Sequence, residues 1–356
     1  MTALPALERR DFGAMPDGRR VELVCLRADG IEARVMTYGA TLQALLVSDR
    51  DGRIEDVVLG HDDLDGYVET RSFYGATIGR YANRIARGTF AIDGETFTVP
   101  ANDGENALHG GAEGFDRHLW DIAETGEGAE PFVRFTRTSS DGEGGFPGEL
   151  AASVTYRLRA GELEIEFEAR TDRTTIVNLT NHAFFNLGGT ERLIGILGHE
   201  LTIEADEFLP VGHGAIPLGA PAPVEGTAFD FRTPHPIGER IRAAEEQIRQ
   251  GRGYDHNWCI RGSSDGEPRL AATVRNPANG LTMQLLTDQP GVQFYSGNFL
   301  DGTSVGKNGL VHRMGDALCL EPQRYPDSPN RPDYPSARLE PGATYRHRST
   351  YRFTHA

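Results

Sequence analysis

The chain has 356 residues, a formal net charge of −16 and a single lysine, Lys307, among 36 basic side chains. So acidic a protein excludes nucleic acid and anionic membrane as partners, since both need a basic surface, and one lysine on the loop Gly306-Lys307-Asn308-Gly309 leaves little scope for Schiff-base chemistry. Cys25, Cys259 and Cys319 are an odd number without CxxC spacing, which points to reduced core thiols rather than a disulfide framework or a zinc site.

The first twenty residues hold Glu8, Arg9, Arg10, Asp11, Asp17, Arg19 and Arg20 and no apolar leader segment. No run of about 18 apolar residues follows, so a cytoplasmic location is expected. Short strand signals come next, at residues 32–36, 42–47, 56–59 and 132–136. Between residues 162 and 168 every second side chain is apolar and the others are acidic, the pattern of a strand with one buried and one wet face. Residues 152–159 precede it across Ala160-Gly161, which makes the two a hairpin. After a strand signal at 200–203, helical periodicity covers residues 237–249. A second hairpin joins 269–276 to 281–287 through Pro277-Ala278-Asn279-Gly280, and residues 292–295 and 344–353 close the series. Segments 141–148 and 262–267 read as hairpin loops, and neither a linker nor an internal repeat divides the chain. Many short antiparallel strands, with 43 Gly and 20 Pro to turn between them, define an all-β fold: one domain over residues 1–356, a large antiparallel β-sandwich with little helix.

Candidate chemistry centres on Leu318-Cys319-Leu320-Glu321-Pro322-Gln323, where a lone carboxylate stands in an apolar, strand-like run. A buried Glu is costly unless it is paired or used. Its partners by residue type are His182, within Thr180-Asn181-His182-Ala183-Phe184-Phe185, and His109, within Leu108-His109-Gly110-Gly111. One carboxylate and two imidazoles form a set able to move protons in both directions. No GxGxxG follows a strand and no phosphate-binding loop is present, so the chemistry is expected to need no cofactor. Taken alone, His182 reads equally well as a structural histidine, and His109 more readily as one because Gly110-Gly111 suggests a turn; the bland alternatives for Asp255 and Arg84, a turn residue and the partner of a surface acid, carry less weight than a functional reading. His61, His118, His199, His213, His235, His256, His312, His347 and His355 show no metal-ligand spacing and are expected to be exposed or in loops, whereas Trp120 and Trp258 are expected in the core.

Gly79-Arg80-Tyr81-Ala82-Asn83-Arg84-Ile85, Leu108-His109-Gly110-Gly111 with Gly114-Phe115-Asp116, Thr180-Asn181-His182, Gly253-Tyr254-Asp255-His256, Gly291-Val292-Gln293-Phe294-Tyr295-Ser296-Gly297-Asn298 and Leu320-Glu321 together resemble the signature segments of the aldose 1-epimerases, or galactose mutarotases. The resemblance implies a single-domain supersandwich and a monosaccharide ligand: galactose, glucose or a related hexose or pentose. It also implies roles. Glu321 matches the base that takes the anomeric proton, His182 the acid that protonates the ring oxygen, and His109 a second imidazole near that oxygen. Asn83, Arg84, Asp255 and Gln293 match residues that hold the sugar or orient the catalytic groups. With ordinary values near 4.3 for a carboxylate and 6.5 for an imidazole, a bell-shaped pH profile is expected, its acidic limb from Glu321 and its basic limb from His182. A monomer or weak homodimer is expected. Departures from the family pattern are Pro322 where Thr is usual, Arg324 where a smaller polar residue is usual, and His312 where an aromatic is usual. The alternatives are a glycoside hydrolase or lyase, for which only Asp255 offers a second carboxylate, a non-catalytic sugar-binding relative, and an epimerase of phosphorylated sugars.

Overall fold

The structure, a computed structural model, describes residues 6–262 and 266–355. Residues 263–265, inside one of the two expected hairpin loops, lie outside the described residues. Three large sheets carry the fold. In spatial order the nine-stranded sheet runs Asp121–Gly126, Phe132–Ser139, Leu150–Arg159, Glu162–Thr171, Tyr345–His355, Leu281–Thr287, Arg269–Arg275, Glu200–Ile203 and His235–Pro236, with antiparallel pairing throughout. The strands Leu7–Ala14, Arg20–Ala28, Ile31–Met36, Thr41–Ser48 and Ile54–Asp56 form a five-stranded meander. A second five-stranded sheet orders Ala222–Pro223, Ala205–Leu209, Asp255–Ile260, Gly291–Tyr295 and Cys319–Gln323. Val154, Phe167 and Tyr351 from the first sheet, Val35 and Leu45 from the second, and Trp258, Phe294 and Leu320 from the third share one buried cluster. Burial of apolar side chains from facing sheets is what defines a sandwich.

The third sheet positions several of the candidate residues. All five residues of both Gly291–Tyr295 and Cys319–Gln323 are buried, so the strands are covered on both faces. Alternation then sorts their side chains. Val292, Phe294, Trp258 and Leu320 join the core. Gln293 pairs in register with Asn257 and Glu321, and Asp255 lies two residues before Asn257, so all four occupy the opposite face. Cys319–Gln323 is the last strand of its sheet. An edge position tolerates the missing N–H of Pro322, which explains why the strand survives this departure.

Three expectations change. Helical periodicity over 237–249 resolves into two short pieces, Ile237–Arg240 and Glu246–Gly251. Between them Glu245 is extended (φ −90°, ψ 144°) and its carboxylate accepts the Ala228 N–H, which draws the chain out of the helix. The 56–59 strand begins earlier, at Ile54–Asp56, and continues only as a single bridge from Val58 to Phe185. Finally, His256, His312 and His347 are buried in strands rather than exposed or in loops, while His61 and His199 lie in loops but are buried as well. Both tryptophans are in the core as expected, and the three cysteines are free. Among the described residues no helix is long and apolar enough to cross a membrane.

Candidate active site

Loops and strand ends from across the chain close one cavity of about 430 Å³ on the polar face of the third sheet. Asn83, Arg84, His109, His182, Asp255, Gln293 and Glu321 all line it, so these seven residues converge on one place. His312 also faces the cavity, its Nδ1 2.8 Å from the Tyr74 hydroxyl. Arg324 does not: its N–H donates to Asn178 Oδ1 at 2.8 Å, away from the cleft.

His182 follows the short strand Thr180–Asn181 and is clamped by its main chain, its N–H donating to Ala76 O and its carbonyl accepting from the Gly75 N–H. The imidazole stacks between Phe73 (centroids 5.7 Å apart) and Phe184 (4.9 Å), which fixes the plane of the ring. Nε2 of that ring lies 3.6 Å from Glu321 Oε1, while Nδ1 lies 3.6 Å from the Cys319 thiol. Glu321 Oε2 is buried without a protein partner.

His109 closes the other side. It has φ 52° and is followed by Gly110 and Gly111 at φ 83° and 81°. A Cβ on Gly110 would lie 2.0 Å from the Gly79 carbonyl, so glycine is required there for close approach as well as for conformation. His109 and Asn83 (φ 64°) hold each other through two hydrogen bonds: the His109 N–H donates to Asn83 O at 3.0 Å, and the Asn83 N–H to His109 Nδ1 at 3.2 Å. The two imidazoles meet edge to face, 5.0 Å between centroids.

A charged rail completes the site. Gln293 donates to Asp255 Oδ1 at 2.7 Å, Arg84 Nη1 lies 4.0 Å from Asp255 Oδ2, and Arg84 Nε donates to Asp103 at 2.8 Å. Asp255 is therefore a sheet residue held from two sides rather than a turn residue, and Arg84 serves the cavity as well as an acid at its rim. Burial raises the Asp255 carboxyl, an effect that Arg84 and the Gln293 bond oppose. The Glu321 carboxyl is pushed well above the usual range, first by burial and then by Asp255, again against Arg84. Burial alone carries the His182 imidazole down to about 4. His109 is likewise lowered, by burial and then by His182, Arg84 and Arg71.

Several contributors went unnoticed in the sequence. Cys319 stands two residues before Glu321, and period-2 alternation alone places both on one face. Phe184, two residues after His182, likewise falls on the side of that imidazole, whereas Phe73 and Asp103 carry no local signal, because their roles depend on long-range packing.

A buried carboxylate–imidazole pair, a second imidazole and a polar rail, mounted on an antiparallel supersandwich, fit the class of sugar-ring epimerases. The comparisons agree: residues 22–352 match the family model described as aldose 1-epimerase. A galactose mutarotase from Mus musculus is 46% identical over 350 residues, covering 98% of this chain and 99% of the relative. The aldose 1-epimerase of Escherichia coli K12 is 40% identical, covering 95% of this chain and 96% of the relative. Among solved structures, a galactose 1-epimerase from Lactobacillus acidophilus superposes with a TM-score of 0.86 at 29% identity, covering 99% of this chain and all of the other. The chain belongs to the aldose 1-epimerase family.

Proposed function

We propose that the cavity takes the pyranose form of a free aldose, a hexose of the galactose or glucose type or a related pentose, and that Glu321 and His182 exchange its anomers by general acid–base catalysis. The observation that carries this reading is the pair itself, a carboxylate and an imidazole 3.6 Å apart in a buried cleft. Glu321, as carboxylate, takes the proton of O1–H, whose bonding electrons become the second C1–O1 bond. The C1–O5 bond breaks, its electron pair moves to O5, and O5 takes a proton from the His182 imidazolium. Rotation about C1–C2 presents the other face of the aldehyde. Reclosure by the same steps in reverse returns both protons, so no co-reactant is consumed. Each positioned proton-transfer group contributes typically 10² to 10⁴ in rate.

Asn83, Arg84, Asp255 and Gln293 supply the paired donors and acceptors expected around a polyhydroxylated ligand. A phosphorylated sugar fits less well. Of the arginines at the cavity, Arg71 is committed to Asp116 by two hydrogen bonds and Arg84 to Asp103, while Asp103, Asp255, Asp301 and Glu321 all line the cleft. A neutral sugar meets no such repulsion. Polarimetry on freshly dissolved α-anomers of galactose, glucose, xylose and arabinose tests the proposal, with galactose first because the relative from Mus musculus is a galactose mutarotase. Acceleration of none of them would overturn it, and release of reducing sugar from a glycoside would favour a hydrolase instead.

A further inference from the structure

His109, His182 and Glu321 each bring one ligating atom within 4.8 Å of the others. That is the composition of a two-histidine, one-carboxylate metal site, yet the hydrogen bonding of His109 speaks for a different use. The main-chain N–H of Asn83 donates to His109 Nδ1 at 3.2 Å, and both residues are buried. A backbone amide always carries its hydrogen, so Nδ1 must offer a lone pair. Turning the ring over would set a C–H against that amide and leave a buried donor unpaired. A neutral imidazole whose Nδ1 accepts carries its proton on Nε2. Nε2 has no protein partner and is not among the sealed polar atoms, and His109 lines the cavity, so this nitrogen is the one open to a ligand.

We propose that the main chain of Asn83 is a positioning element that fixes His109 as a neutral, Nε2-protonated donor, which hydrogen-bonds to the reacting end of the sugar without exchanging a proton. The inference rests on the epimerase reading of the cleft and deepens it. Protonating Nδ1 would set two N–H groups against each other and break one of the two bonds that join the His109 and Asn83 loops. Arg84, Arg71 and the neighbouring His182 act in the same direction, each disfavouring positive charge on His109. His182 is built differently: its Nδ1 meets a thiol and its Nε2 a carboxylate, so no amide prevents a second proton. The labour is thereby divided. His182 moves the proton, and His109 meets the charge that develops on the ring oxygen with a fixed dipole, which needs no reorganisation during the reaction. The same device occurs twice more among the described residues, where the Asp255 N–H donates to His256 Nδ1 at 3.1 Å and the Leu187 N–H to His199 Nε2 at 3.1 Å. A divalent ion at the triad would need the Nε2 lone pair that His109 does not have.

Nitrogen-15 NMR of the histidine-labelled full chain tests the assignment without any substrate, so its outcome is separate from that of the epimerase reading. The expected result is one His109 state, Nδ1 bare and Nε2 protonated, across the window from about pH 5 to 8 in which imidazoles ordinarily titrate. An Nδ1–H signal or an imidazolium in that window would overturn the proposal. Asn83→Gly keeps both the amide and the positive φ, and should leave the His109 signals unchanged; a switch of tautomer would show that the side chain, not the main chain, does the fixing. On the enzymatic side, His109→Gln retains a neutral donor and should keep both limbs of the pH profile with turnover down by about tenfold or less, whereas His182→Gln should lose about 10² or more. Disappearance of a limb in His109→Gln would mean that His109 titrates in the reaction. Calorimetric titration with Zn²⁺ should show no uptake that His109→Gln abolishes, and such uptake would likewise overturn the assignment.

Discussion

Glu321 and His182 are each pushed toward the uncharged form, the carboxyl upward and the imidazole down to about 4. The resting pair therefore keeps its shared proton on Glu321, whereas ring opening needs it on His182. Activity persists between two limbs that belong to the pair rather than to either residue. Below the lower limb the pair takes a second proton, on the imidazole; above the upper limb it loses its only one, from the carboxyl. The acidic limb of kcat/KM thus tracks His182 and the basic limb Glu321, the reverse of what ordinary values suggest. Measured profiles of the wild type and of His182→Asn would decide this, the variant being expected to lose the acidic limb along with about 10² or more in turnover. An acidic limb that persists in the variant's residual activity would contradict the assignment. Stability offers a second reading of the same carboxyl. Because the folded Glu321 holds its proton to higher pH than the unfolded chain, the unfolded state releases protons first, and stability falls as pH rises above about 4.5. Glu321→Gln cannot ionise. It should unfold at a higher temperature than the wild type at neutral pH, with a gain that shrinks toward pH 4.5, while turnover drops about 10² or more; no gain at neutral pH, or the same gain at both pH values, would show that the carboxyl is not strained by burial.

Backbone elements set these side chains with little slack. Gly110→Ala would place a Cβ 2.0 Å from the Gly79 carbonyl and hold φ 83° against the preference of an L-residue, so the loop bearing His109 must move. Displacement of a reacting group by about 1 Å is worth roughly 10² in rate, and a fall of that size with the fold retained by circular dichroism is the expected outcome; unchanged turnover would mean that His109 is placed by its neighbours alone. Legibility in the sequence followed the same division between local and distant causes. The alternation at Glu162–Thr171 and the isolated carboxylate at Glu321 are local patterns; the strands lie where those patterns put them, and Glu321 lines the cavity. By contrast, the hairpin of Leu7–Ala14 with Arg20–Ala28 was hidden, because the charged residues Glu8, Arg9, Arg10 and Asp11 follow one another without alternation, and pairs such as Arg9 with Glu22 show only in the folded chain. The burial of His199 and His256 was hidden for a related reason: what satisfies them is an amide from Leu187 or Asp255, and only the folded chain reveals it.

Across the whole molecule, His182, His199 and His256 are buried neutral, lowered to about 4, 4 and 3 by desolvation. The unfolded chain takes up these protons as pH falls below about 6.5 and the folded chain only near 4, so stability is complete above 6.5 and drains away between those values. Each imidazole accounts for about 3 kcal/mol by pH 4 at about 1.4 kcal/mol per pH unit, which Glu321 and Asp255 offset in part. Urea midpoints should fall between pH 7 and pH 5, and a midpoint insensitive to pH would contradict the buried-neutral state. The largest-scale expectation concerns Tyr345–His355. This strand pairs with Glu162–Thr171 on one side and Leu281–Thr287 on the other, so it joins the two halves of the nine-stranded sheet. It also reaches the site. Tyr345 Oη accepts the Leu179 N–H at 3.0 Å and His347 Nδ1 lies 2.8 Å from Leu179 O, three residues before His182, while Tyr351 Oη donates to Leu320 O, beside Glu321. Both halves of the acid–base pair therefore hang on one terminal strand, and the chain should behave as one domain. Thermal unfolding followed by circular dichroism and by residual activity should give one coincident transition. Tyr351→Ala, which empties a fully buried aromatic site, should lower stability by about 3 to 5 kcal/mol, and deletion of residues 345–355 should leave no folded fragment. Two separate transitions, or a stable truncated chain, would divide the molecule into domains that meet at the cleft.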